Sequence, residues 1–395
     1  MNTSARFPGL SLGIIGGGQL GRMMAIEARR MGIRVLCLDP SPQPPALGVA
    51  HTCFQGDLYD PASIRKLAQE SDVLTFEIEH LNTQVLEDLE TQGVRVYPSS
   101  KTLKIIQDKY HQKHTLAEAG LPVPSYALTT VGSDGLPSDP RELGFSYPVV
   151  QKTRTGGYDG RGVKVWNGPA DRQQGLRGPS FFEEAIPFRK ELAVLLARDA
   201  KGAVKTWPVI EMVFDPKTQI CNQVCAPARI SSLARDRALD LGQKAVQALD
   251  GVGVFGVELF LTDDDGILIN EVAPRPHNSG HWTIEGSLTS QFNQHIRAVC
   301  GLPLGSTELT MPSVTVNLLG SPGAEGSSVI QGYSNALAIP GLAMHWYEKE
   351  QVSTQRKMGH ITIVRPTLDE ALALAQEAQS LLRVDGREQK ISHSE

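Results

Sequence analysis

Short apolar runs alternate with amphipathic stretches over the first 120 positions. LGII at 12–15, RVLCLD at 34–39, DVLTFEI at 72–78 and RVYP at 95–98 have the length and apolar content of strands. Between them a helix is expected over Pro61–Glu70, and Asn82 stands where a cap would open another that stops at Gly93. A single long helix is expected from about Ser100 to Ala119, ending at Gly120. This alternation predicts βαβ units with a parallel sheet.

Beyond Gly120 the pattern changes. Positions 131–142 read as a loop, and PVVQKTRTGGYDGRGVKVW (Pro148–Trp166) reads as two strands around a glycine-rich tip. SFFEEAIPFRKELAVLLAR predicts two strands broken at Pro187. GVELFLTDDDGILINEV is a hairpin by composition, and SLTSQFNQHIRAVCG a helix. Strands at SVTVNLLG and HITIV and a helix over TLDEALALAQEAQSLLRV complete the chain.

The 395 residues exceed one ordinary core, so two to four domains are expected. Hydrophobic residues make up 41%, which supplies those cores, and the net charge of −5 argues against nucleic acid as a partner. No signal-like start and no run of eighteen apolar residues is present, so a soluble cytoplasmic protein without a membrane span is expected. Five scattered cysteines argue against zinc, the Cys221–Cys225 spacing having no second pair nearby.

The tip after Pro148 packs Gly156, Gly157, Gly160 and Gly162 around Tyr158, Asp159 and Arg161. It lacks the G-K-S/T of a Walker loop, and its exit is a strand. Glycines let backbone N–H groups approach an anion, and Lys152 and Arg161 add positive charge. A phosphate-covering flap is the sharper reading, and a plain surface hairpin the blander one. Gly16, Gly18 and Gly21 fit G-x-G-x-x-G, with Asp39 ending the next strand. That pattern suits a dinucleotide, although any tight strand-to-helix turn favours the same glycines, and Gln19 and Arg22 suit a small anionic substrate. Glu77, Glu79 and His80 fall at the end of the third strand, where such sheets hold ligands. Glu183, Glu184 and Glu191 flank an extended connector able to meet a base and a ribose, or are simply solvated.

With Asp264-Asp265 as a two-residue loop, Glu258 lies opposite Glu271, their Cβ atoms roughly 5 Å apart. Two carboxylates that close repel by about 3 kcal/mol at an effective dielectric of about 20. An otherwise apolar strand pair carries such repulsion when a cation offsets it, and Mg²⁺ takes one or two carboxylates plus substrate phosphates. In APRPHNSGHW, Pro274 and Pro276 then hold Arg275, His277 and Asn278 on a stiff loop beside that site.

GGGQLGRM, FEIEH, RTGGYDGRG, NEVAPRPHNSGHW and HWYEKE…RKMGH together resemble the ATP-grasp ligases, and within them the family of 5-(carboxyamino)imidazole ribonucleotide synthases. The resemblance implies an α/β ATP-grasp fold. An N-terminal Rossmann-like βαβ (pre-ATP-grasp) domain would occupy 1–107 and an ATP-grasp small subdomain with the flap 108–187. A large subdomain with metal and bicarbonate sites would span 188–308, and a small C-terminal β-rich domain 309–395. It implies that ATP phosphorylates bicarbonate to carboxyphosphate, which carboxylates aminoimidazole ribonucleotide in purine biosynthesis. It also implies ATP and Mg²⁺ as cofactors, a homodimer, and a possible hand-off of product to a mutase.

By the same resemblance, ATP would meet Lys109, Lys152, the flap Gly157, Tyr158, Asp159, Gly160, Arg161, Gly162 and Val163, and also Asn270 and Glu271. Glu183, Glu184, Ala185 and Ile186 would hold adenine and Glu191 the ribose. Glu258 and Glu271 would carry Mg²⁺. Arg275, His277, Asn278 and Lys349 would be the catalytic set. Gln19, Leu20, Glu77, Tyr158, Asp159, Arg161, Lys349 and Arg356 would bind the aminoimidazole nucleotide. Two positions depart from the family pattern. Ala273 stands where many ATP-grasp enzymes have a metal-binding Asn, and Lys109 where an Arg is common. Asn270 would face away from Glu271 in a regular strand. The competing readings are an ATP-grasp ligase with another acceptor, a nicotinamide oxidoreductase using Gly16–Gly21, and an inactive nucleotide-binding regulator.

Overall fold

The computed structural model describes residues 8–132, 135–157, 162–215 and 220–387. Five strands, β1 (Ser11–Ile15), β2 (Arg34–Asp39), β3 (Thr52–Gln55), β4 (Val73–Phe76) and β5 (Arg95–Val96), form an all-parallel sheet in the order β3-β2-β1-β4-β5. Helices α1 (Gln19–Arg30), α2 (Pro61–Gln69) and α3 (Thr83–Thr91) cover it. Asp60 and Asn82 accept backbone N–H groups at the starts of α2 and α3, satisfying donors that a helix leaves open. Leu12, Ile14, Leu36, Leu38, Leu74 and Phe76 are fully buried, each such side chain contributing about 1.5–3 kcal/mol.

The single helix expected over 100–119 is two, α4 (Ser100–Gln107) and α5 (Lys109–Glu118). Asp108 breaks it with an extended backbone, φ −106° and ψ 105°. Its carboxylate accepts from the backbone of Tyr110 and His111 and pairs with Arg154, so side-chain bonding wins over helix continuation. The break makes Lys109 the first residue of α5, with Lys113 one turn on.

A four-stranded antiparallel sheet follows, from β6 (Tyr126–Leu128), β7 (Val149–Thr153), β8 (Val163–Trp166) and β9 (Ser180–Glu184), in the order β6-β9-β7-β8. Trp166 packs edge-on against Phe182 with centroids 5.0 Å apart, at the end of the β7–β8 hairpin where it pairs with Val149. Tyr158, Asp159, Gly160 and Arg161 lie outside the described residues.

The larger layer draws on β10 (Lys190–Arg198), β11 (Val204–Thr206), β12 (Ile210–Phe214), β13 (Cys221–Ala226), helix α6 (Ser232–Ala248), β14 (Gly253–Leu261) and β15 (Ile267–Ala273). Helices α7 (Thr283–Gly286) and α8 (Gln291–Val299) lead on to β16 (Ser313–Leu319), β17 (Glu325–Gln331), α9 (Tyr333–Leu337), β18 (Leu342–Trp346), β19 (Gln351–Ser353), β20 (Lys357–Val364), α10 (Leu368–Leu381) and β21 (Arg383–Arg387). Among the described residues, a nine-stranded sheet runs β15-β14-β10-β12-β13-β16-β20-β18, with β11 on β10. The C-terminal strands therefore continue this sheet through the β13–β16 pairing, while β19-β17-β21 form a small one of their own. Helix α6 escaped the sequence pattern because much of its buried face is Ala234, Ala238, Gly242 and Ala245, small residues that give little hydropathy contrast. Gly242 lies so close to β10 that a Cβ there would be 2.9 Å from Val194.

Parallel pairing sets Cys37 beside Cys53, joined as a disulfide, while Cys225 and Cys300 are free and buried. Among the described residues no helix is long and apolar enough to cross a membrane. Leu20 and Met24 of α1 share a core with Phe292 and Ile296 of α8, which docks the N-terminal sheet on the large layer.

Candidate active site

A cavity of about 1100 Å³ opens where the three layers meet. Its floor is the β14–β15 hairpin, whose turn differs from the expected two-residue loop. Thr262 N–H bonds Gly266 O at 3.0 Å and Asp265 takes a left-handed φ of 59°, so three residues, 263–265, make the turn. The Thr262 hydroxyl reaches Gly266 O at 3.1 Å, which favours the longer form. The strands leave it in the register Leu261↔Ile267 and Leu259↔Ile269, one residue out of the expected alignment. A bulge at Asn270 restores it, and Glu258 does face Glu271. Two residues opposing one also turns Asn270 toward the site. Expected to face away, it accepts from Lys152 Nζ at 2.9 Å and lies 3.4 Å from Glu258.

Cations from two elements meet these carboxylates. Lys109 Nζ is 2.6 Å from Glu271, and Glu183 on β9 is shared by Lys113 and Lys152, each at 2.9 Å. Burial would raise the Glu271 carboxyl, but Lys109 holds it below the ordinary range. Glu258, half-buried, is raised to about 7 by desolvation and by repulsion from Glu271 and Glu191, and desolvation takes Glu191 to about 7 as well. Burial likewise pushes Lys113 below its usual value despite Glu183, while the two lysines hold Glu183 low against its own burial. Glu184 alternates to the exposed side and accepts from Ser125, with Ala185 and Ile186 continuing along the cavity wall.

The proline-flanked loop forms the opposite end. Arg275 Nε is 3.0 Å from Glu79, and His277 Nε2 is 3.5 Å from Glu258. Gln291, fully buried on α8, clasps this loop, accepting from His277 N–H and donating to His277 O, both at 2.8 Å. Gly256 lies directly beneath, since a Cβ there would stand 2.8 Å from that of His277. Asn278 opens a short 3-10 turn and lines the cavity.

The glycine turn after β1 is filled from within. The Glu77 carboxylate accepts from Gly18 N–H and, at 2.6 Å, from Gly21 N–H, while Asp39 takes Gly17 N–H at 2.8 Å. A Cβ at Gly16 would be 2.5 Å from the Glu77 side chain. The nest a pyrophosphate needs is thus held by two protein carboxylates, which corrects the nicotinamide reading. Burial raises the Glu77 carboxyl in spite of those two bonds. Gln19, Leu20 and Glu77 line the cavity, while Arg22 pairs with Glu348 at 2.7 Å.

Gly157 and Val163 stand at the cavity edge, and Gly162, with φ 75°, packs against Thr153. Near Lys349 and Arg356, a third basic residue, Lys357, reaches the cavity. Lys349 donates to Lys357 O at 2.8 Å, and Arg356 to Gln351 O at 2.7 Å, and neither lines it. Sequence reasoning passed over Lys113, His281, Gln291 and the stacked pair Phe188–Phe260, 4.7 Å apart, that walls one side. Lys113 was detectable as the i+4 partner of Lys109 on a helix face.

Comparison with known proteins bears on this arrangement. Residues 10–107 match the ribonucleotide synthetase preATP-grasp domain, 114–292 the ATP-grasp domain, and 313–374 the phosphoribosylaminoimidazole carboxylase C-terminal domain. The N5-carboxyaminoimidazole ribonucleotide synthase of Synechococcus elongatus is 38% identical over 97% of this chain and 96% of its own. The chain belongs to that synthase family. It is an ATP-grasp ligase with the pre-ATP-grasp, ATP-grasp and C-terminal parts expected from its motifs. The Thermotoga maritima synthetase structure superposes with a TM-score of 0.87 at 45% identity, covering 96% of this chain and all (100%) of that one. An Aspergillus clavatus synthase in complex with ADP and 5-aminoimidazole ribonucleotide gives 0.84 at 36% identity, covering 94% and 98%.

Proposed function

We propose that the cavity brings ATP, bicarbonate and 5-aminoimidazole ribonucleotide together, making N5-carboxyaminoimidazole ribonucleotide, ADP and phosphate in purine biosynthesis. What carries this reading is that the Lys109–Glu271 and Lys152–Asn270 contacts open on the same cavity as Arg275 and His277. Phosphate groups would meet Lys109 and Lys152, with Glu183 and Asn270 holding Lys152 in place. Glu184, Ala185 and Ile186 offer backbone to adenine, and Glu191 a carboxylate to the ribose. The tip residues Tyr158, Asp159, Gly160 and Arg161 are assigned to covering the phosphates and meeting the nucleotide substrate.

A bicarbonate oxygen attacks the γ-phosphorus and ADP leaves, giving carboxyphosphate. The amine of the acceptor then attacks its carbonyl carbon, phosphate leaves, and the amine proton is lost. Arg275 and His277 hold the carboxyl oxygens through charge and hydrogen bonds, strongest where water is excluded. Lys349 and Arg356 are assigned to the acceptor's phosphate end. Glu258, Glu271 and Asn270 present only oxygen donors, which suits Mg²⁺. When bound, the ion screens the negative charge of the phosphates.

The test is ¹⁸O-labelled bicarbonate. Label is expected in the released phosphate, and unlabelled phosphate at full turnover rejects carboxyphosphate. The family likeness also supports a homodimer, hand-off of the product to a mutase, and a cytoplasmic location. The Vigna aconitifolia relative, by its name, is chloroplastic.

A further inference from the structure

His281 is the second histidine of the RPHNSGHW run, yet none of the roles above uses it. Its protonation pattern follows from Gln291. Gln291 Oε1 accepts the His277 backbone N–H at 2.8 Å, so the other amide atom is the NH₂ group. That group donates to His277 O at 2.8 Å and reaches His281 Nδ1 at 3.1 Å. An amide NH₂ only donates, so Nδ1 is an acceptor and the neutral ring carries its proton on Nε2.

The Nε2–H has no partner among the described residues, and His281 lines the cavity beside His277 and Asn278. The ring cannot readily turn away. It is 1% exposed and stacks on Phe292 and on His360, whose centroids are 5.7 and 4.5 Å distant. Burial and neighbouring cations drive its pKa well below the ordinary imidazole value, so it stays neutral. That N–H is left open to the cavity, where the oxygen of a bound ligand can accept it.

We propose that His281 donates its Nε2–H to an oxygen of the carboxyl group in transfer, as a catalytic residue beside Arg275 and His277, with Gln291 as the positioning residue that sets its tautomer. This rests on assigning the Arg275–His277 end of the cavity to bicarbonate. A neutral donor there stabilises the growing oxyanion without giving up its proton to carboxyphosphate, whose protonation would hasten its loss to water.

Two substitutions separate this from a packing role. His281→Asn keeps an acceptor for Gln291 and loses the cavity donor, whereas His281→Gln places an amide N–H near the Nε2 position. His281→Asn should lower kcat for carboxylation about 100-fold with the KM for ATP within threefold, and His281→Gln should restore at least tenfold of it. In the full-length wild type, ¹⁵N-histidine NMR should show His281 protonated on Nε2 and bare on Nδ1. A loss under tenfold in His281→Asn, no recovery in His281→Gln, or a proton on Nδ1 overturns the proposal. Bicarbonate dependence of wild-type ADP release tests the underlying assignment separately.

Discussion

Glu258 stands directly across β14–β15 from Glu271, and it does so through two irregularities that cancel. The three-residue turn at 263–265 displaces the strands by one position and the bulge at Asn270 returns them. The detour delivers Asn270 to the same face as both carboxylates, where Lys152 holds it. Two acids and an amide are thereby grouped on a strand pair whose other face, Leu259, Leu261, Ile267 and Ile269, is core.

Glu258→Gln and Glu271→Gln should each lower ADP formation at least about 100-fold, since each removes a carboxylate proposed to hold the phosphate-bound cation. The fold should survive, because both side chains face the cavity. Steady-state rates across a Mg²⁺ titration check this. Rates within twofold of wild type at limiting Mg²⁺ would remove the metal assignment.

Gly256 supports His277 from below, with 2.8 Å between a Cβ at 256 and the His277 Cβ. Gly256→Ala should push the His277 loop away from Glu258 and off its clasp on Gln291. Turnover should fall about tenfold or more while the KM for ATP holds, since a small misplacement of a positioning group is enough to slow chemistry. Stopped assays at saturating ATP measure it, and an unchanged kcat would show that His277 is placed by something else.

Burial lifts Glu191 from the usual carboxylate range to about 7. The unfolded chain loses this proton near 4.5 and the folded chain near 7, so the folded form binds more protons between them. Glu191 therefore favours the ligand-free fold most at low pH, and that contribution fades as pH rises through about 7. Glu191→Gln should melt higher than wild type at pH 8 and gain less at pH 5.5, while its KM for ATP rises about tenfold through loss of the ribose acceptor. Thermal melts at the two pH values decide the first point and ATP titrations the second.

What the sequence disclosed was local. Asn82 as a cap, the glycine turn after β1, and the paired glutamates across one hairpin all announce themselves within a single short stretch of chain. The Asp108 break was hidden because its decisive partner, Arg154, is 46 residues away. The Asn270 bulge was hidden because alternation alone assumes unbroken pairing. The tautomer of His281 depends on Gln291, and its stacking on His360 of β20, so no motif window contains it. The nicotinamide alternative failed for the same kind of reason, the glycine nest being filled by Glu77 from another strand.

His295 ties three elements together and should make the fold acid-labile. On α8, it accepts Val254 N–H of β14 at Nδ1, 3.0 Å away, so its own proton sits on Nε2 and goes to Thr75 of β4, 2.8 Å away. Both nitrogens are committed, the side chain is fully buried, and burial drives its pKa from 6.5 to about 3. A second proton at Nδ1 would confront the Val254 N–H. Below pH 6.5 the unfolded chain takes up a proton that the folded chain refuses until about pH 3, so stability present above pH 6.5 is lost as pH falls. The slope approaches about 1.4 kcal/mol per pH unit for this one group, or roughly 2 kcal/mol between pH 6.5 and pH 5. His281 and His360, also driven low by burial, add in the same direction. His295→Gln keeps an amide acceptor and donor but cannot titrate. Its stability at pH 7 should be lower than wild type through imperfect packing, while its further loss between pH 7 and pH 5 should be smaller by about one proton's worth. Urea unfolding of both proteins at the two pH values measures this, and equal losses would mean that His295 is charged in the folded protein.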